Sequence, residues 1–145
     1  MELIEEAHRA ALDEVRHARI ALELAGVDSV PQALPVAMQL TIRPDVRSMA
    51  LATAREACIG ETLSFLEMER EGLPELHSVV EDERRHAALG WRTVRWALEQ
   101  QPELKDELRA MFAKAPAEIQ PLARWLFSQE DEQSLYSLLM YDIGK

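Results

Sequence analysis

One short pattern occurs twice in this chain. Residues 13–18 read DEVRHA and residues 82–87 read DERRHA, so that Glu14 stands three places before His17 and Glu83 three places before His86. On a helix that spacing points both side chains the same way, about 60° apart. A carboxylate oxygen and an imidazole nitrogen held together form a donor set for divalent first-row metals. With no thiolate among them, iron or manganese is a better match than structural zinc. A further carboxylate, Glu61, lies between the two copies, and Asp13 and Asp82 immediately precede the two glutamates.

These residues require helices to carry them. Residues 2–25 have a helical pattern ending at Gly26, which suits a left-handed C-cap. A second helix is expected from Pro44–Asp45 to about Glu71, and a third, after the turn Gly72–Leu73–Pro74, from about Glu75 to Glu99. Stepping by four and three gives the seam Leu3, Ala7, Ala10, Glu14, His17, Ala21, Leu24 on the first helix. The second gives Ala50, Ala54, Ala57, Glu61, Ser64, Met68, and the third Leu76, Val79, Glu83, His86, Gly90, Thr93, Ala97. In all three the polar residues interrupt an otherwise apolar or small-residue stripe. Burying carboxylates without compensation costs several kcal/mol each, roughly, and cations remove that cost.

Position along the helices agrees. Glu61 and Glu83 are each 11 residues from Gly72, so an antiparallel hairpin is expected to set them side by side, about 16 Å from the turn. Residues 27–44 hold Pro31, Pro35 and Pro44 and an alternating strip Val36, Met38, Leu40, Ile42. Such a segment can return along a bundle as a crossover. Shorter helical pieces are expected near 103–114, 117–128 and 130–141.

A Glu-x-x-His helix, a crossover, a lone glutamate, a hairpin and a second Glu-x-x-His helix together resemble the ferritin-like di-iron or di-manganese carboxylate proteins. The stretches HRAALDEVRHA and EACIGETL are most similar to bacterial ferritin-like domain proteins of unassigned role. The resemblance covers roughly residues 2–99 and implies an all-α, ferritin-like bundle, one domain over 1–145, with added C-terminal helices. It implies a dinuclear site in which Glu61 and a partner glutamate bridge two metals, completed by Glu14, His17, Glu83 and His86. Asp13 and Asp82 would support ligand histidines by hydrogen bonds, Asp13 to His86 and Asp82 to His17. The implied activity is oxidation of Fe²⁺ or a small organic substrate by O₂; the alternative is a non-catalytic metal-handling or structural bundle with a degenerate or mononuclear site. The family also has a helix carrying one more glutamate, for which Glu5 and Glu6 lie too far from Glu14 along the same helix. Closure is expected from Glu118, Glu130 or Glu132, or from a second copy of the chain completing the bundle; otherwise the site is incomplete.

Composition sets the outer bounds. A net charge of −10 argues against a nucleic-acid binder. No apolar stretch reaches the ~20 residues of a membrane span, and a lone Cys58 excludes an internal disulfide and is consistent with a cytoplasmic setting. Cys58 is expected in the core, Trp91, Trp96 and Trp125 as packing residues, His8 and His77 at the surface, and Arg16, Arg84 and Arg85 on the solvated flank.

Overall fold

The computed structural model describes residues 2–27 and 45–142. Residues 1–43 and 44–145 form two compact units. In the first, α1 spans Glu2–Leu24, with Glu2 and Glu5 in its first turn, where the helix dipole favours acids. Gly26 takes the left-handed conformation (φ 67°). Its N–H donates to the Glu23 carbonyl, and the Val27 N–H reaches back to Leu22, both at 3.0 Å. The two bonds make a complete Schellman stop, as the position of this glycine predicts. The expected crossover strip falls, from residue 28 onward, outside the described residues.

The second unit opens with a continuous helix over 46–71: α2 (Val46–Thr53), a π-helical stretch (Ala54–Glu61) and α3 (Thr62–Glu71). Asp45 caps its start by accepting from the Ser48 N–H at 2.7 Å. Gly72, again left-handed (φ 65°), ends it. After a 3₁₀ turn at Pro74–Leu76, α4 (His77–Gln100) runs back antiparallel. Then come a 3₁₀ turn and α5 (Lys105–Phe112), a second 3₁₀ turn and α6 (Gln120–Leu126), and α7 (Glu132–Ser137), which passes into a π-helical turn at Leu138–Asp142. The expected helical pieces are all present, and no strand occurs among the described residues.

The core of this unit lies between the hairpin and the C-terminal helices. Trp91 stacks on Phe112, ring centroids 5.0 Å apart, and its indole N–H points at the Thr62 hydroxyl at 3.4 Å. Leu104, Leu108, Ile119, Leu122, Leu135 and Leu139 close over Phe65, Val80, Ala87 and Val94. Among the described residues no helix is long and apolar enough to cross a membrane.

Candidate metal centre

Helix α4 carries two faces. Val80, Ala87 and Trp91 enter the apolar core. At about 100° per residue, Val79, Glu83, His86 and Gly90 form a separate stripe roughly a third of a turn away, and all four are buried. The Glu83 Oε2 stands 3.8 Å from the His86 Nδ1. The i, i+3 spacing thus does what the sequence implies, aiming both groups together. In the first unit the same spacing brings the Glu14 Oε1 to 3.5 Å from the His17 Nδ1.

The helix facing α4 departs from its expected phase. The buried line runs Ala50, Ala54, Cys58, Thr62, Phe65, whereas a regular seam passes through Ala57, Glu61 and Ser64. The π-helical stretch is the cause. Its wider i→i+5 turn keeps residues four apart on one line, so that the core stripe advances by one position. Thr62 therefore takes the place beside Trp91, and Glu61 stands half-buried next to it.

The level of Glu61 also differs from expectation. A Cβ added to Gly90 would lie 2.5 Å from the Ala57 Cβ and 3.3 Å from the Cys58 nitrogen. Gly90 and Ala57 are thus face to face, with no room for a side chain on α4. Four residues farther along each antiparallel helix, Glu61 comes level with His86, and Glu83 sits nearly one turn closer to the hairpin end. The turn is the physical reason: Leu73 is extended and Pro74–Leu76 is a 3₁₀ turn, which moves the centre of the hairpin past Gly72. Glu83 and His86 thus share the stripe on α4, while Glu61, half-buried on the facing helix, is level with the histidine rather than with the glutamate.

Arginines lie close to both aspartates. Arg16 reaches Asp13 at 3.5 Å, and Arg85 donates to the buried Asp82. Arg84 corrects an expectation, because its side chain is only 14% exposed and not on the solvated flank. It lies over the Phe65 ring, 5.1 Å from the centroid, and pairs with Glu69. His77 sits at the surface beside Glu81, and His8 bonds the Ile4 carbonyl; both are exposed, as expected. Cys58 is fully buried, and burial pushes its thiol well above the ordinary value. A neutral thiol in the core is no thiolate ligand.

The C-terminal glutamates do not complete this stripe. Glu132 pairs with Arg92 at 2.9 Å, and Arg92, nine residues beyond Glu83, is on the opposite side of α4. Glu118 pairs with Arg70 at 3.2 Å, nine residues and about 13 Å along the helix from Glu61. Its own backbone N–H and Arg70 hold its carboxyl below the usual range. The Glu130 carbonyl accepts from Arg95 at 2.6 Å, and Arg95 also lies over the Trp125 ring. These contacts tie α6 and α7 to the arginine side of α4. No signal in helical periodicity announces which side that is.

No protein-family model, curated protein or solved structure matches this chain.

Proposed function

We propose that this chain is a ferritin-like metal-binding protein that holds iron or manganese between its two Glu-x-x-His copies. Glu14 and His17 from α1, with Glu61, Glu83 and His86 from the α2–α4 hairpin, are the ligands of a dinuclear site. The observation that carries this reading is the stripe on α4. Glu83 and His86 are buried together, Glu61 comes level with the histidine, and Gly90 against Ala57 leaves the neighbouring turn without bulk. Buried acids need positive charge beside them. Arg85 stands beside Asp82, and a divalent cation held by Glu83 and His86 would add positive charge along their stripe.

Each residue has a distinct task in this scheme. The two histidines would offer imidazole nitrogens, and Asp13 and Asp82 would fix their ring orientation through hydrogen bonds. Glu61 would add a carboxylate to the residues that hold the pair of cations. When bound, such a pair supplies one-electron and O₂ chemistry, which the protein itself lacks. An O₂-dependent oxidase or ferroxidase follows if the set is complete; metal handling without catalysis follows if it is not.

Metal content is the test. Protein loaded anaerobically with Fe²⁺ or Mn²⁺ and desalted should retain about two ions per chain. Retention below ~0.2 per chain would remove the proposal. A visible absorption transient on mixing the ferrous form with O₂ is the outcome for an oxidase; silence at full loading assigns the site to metal handling.

A further inference from the structure

Helix α1 carries a second seam that the metal reading does not use. Ile4, His8, Ala11, Val15, Ala18 and Leu22 repeat at alternating steps of four and three, an unbroken heptad series. All but Leu22 are exposed, and Leu12, which flanks the seam, is 72% exposed. A largely apolar 3.5-residue period over about five turns on a wet surface is a helix-pairing surface rather than a solvated face.

We propose that this seam pairs antiparallel with the same seam of a second copy of the chain, and that the partner's Glu14 supplies the carboxylate missing from the metal site. The clause about Glu14 rests on the metal reading above; the pairing itself does not. Its register is written in the charges. With Ile4, Ala11 and Ala18 opposite Leu22, Val15 and His8 of the other copy, the residues bordering one edge are Glu5, Leu12 and Arg19. In an antiparallel pair this edge meets itself. Glu5 then faces the other copy's Arg19, Arg19 faces its Glu5, and the two Leu12 side chains meet on the two-fold axis. Parallel pairing would instead set Glu14 beside the other copy's Arg19, so an exchange of charge between Glu5 and Arg19 tells the two arrangements apart.

The other edge is Ala7, Glu14 and Ala21. There the two Glu14 carboxylates meet across the axis, between alanines that let the helices approach closely. Glu14 is 55% exposed although it stands 3.5 Å from His17, so it borders the seam as well as its own histidine. Two carboxylates facing each other repel unless a cation lies between them. One helix seam with two alanines buries less than the ~1,200 Å² of a standard stable interface. The dimer should therefore be weak without metal and tighter with it.

Sedimentation equilibrium of the full chain, with and without Mn²⁺, tests this. Wild-type protein should dimerise, and Mn²⁺ should tighten the dimer by about tenfold or more. Leu12→Glu and Arg19→Glu, both at exposed positions, should give monomers of unchanged helicity. Glu5→Arg combined with Arg19→Glu should restore the dimer, which only self-pairing in this register does. Glu14→Gln should dimerise without responding to Mn²⁺. A wild-type monomer that binds Mn²⁺ fully would overturn this inference and leave the metal reading intact. Failure of the double charge swap to restore pairing would overturn it too. Charge-swap behaviour as described with no Mn²⁺ bound would overturn the shared Glu14, and with it the metal reading.

Discussion

At Gly90 the absence of a side chain has a specific consequence. A methyl group there would lie 2.5 Å from the Ala57 Cβ and 3.2 Å from the Ala57 carbonyl carbon. Backbone on a neighbouring helix cannot swing aside as a flexible side chain can. Gly90→Ala should therefore destabilise the fold by about 1–3 kcal/mol, the usual cost of overpacking, even though alanine is the better helix former. Ala57→Gly introduced with it should recover part of the loss. Chemical denaturation of the single and double variants checks both statements, and additive losses would show that the two positions do not touch. His17 and His86 are individually ordinary residues. Their weight comes from the acid three places earlier, which fixes the direction both side chains take.

The helix start at Asp45 shows how one cap ties an element to pH. The Ser48 backbone N–H, first, and its hydroxyl hold the Asp45 carboxyl below its ordinary value. A carboxyl depressed in the folded state adds stability that is fully present above the ordinary value of 3.8 and is lost as pH falls through the folded value. Asp45→Asn keeps a capping oxygen but removes the titration. Its melting temperature should lie slightly below that of the wild type at neutral pH, and the gap should close below about pH 4. Thermal melts across pH 3 to 7 measure this; a gap independent of pH would contradict it.

Helix positions were legible because caps and periodicity are local. Gly26, Asp45 and Gly72 mark boundaries by their own chemistry. The π-helical winding at Ala54–Glu61 has no such marker, since stepping by three and four assumes the regular turn that it breaks. That is why Cys58 and Thr62, not Ala57 and Glu61, enter the core. The side of α4 taken by α6 and α7 depends on Arg92 and Arg95 meeting a glutamate and two backbone carbonyls far along the chain. Such long-range pairs leave no periodic trace. The candidate ligands were visible because two copies of one spacing interrupt apolar stripes, but of the three glutamates only Glu83 is buried: Glu61 is half-buried, and Glu14, expected on an inward seam of α1, is exposed together with Ala7, Ala21 and Leu24.

Taken as a whole, a chain with 26 acidic and 16 basic residues gains by binding cations, and its two Glu-x-x-His copies belong to different compact units. The central claim is that both copies serve one site. Two separate i, i+3 pairs, each holding a loosely bound ion, would be a different protein. Calorimetric titration of Mn²⁺ into wild type, His17→Ala, His86→Ala and the double variant distinguishes them. For a shared site each single substitution should weaken binding by about 10- to 100-fold, the typical cost of disturbing a metal site, and the double variant should be little worse than either single. If each substitution instead removes half of the bound metal and the two losses add, the copies bind independently and the shared site does not exist.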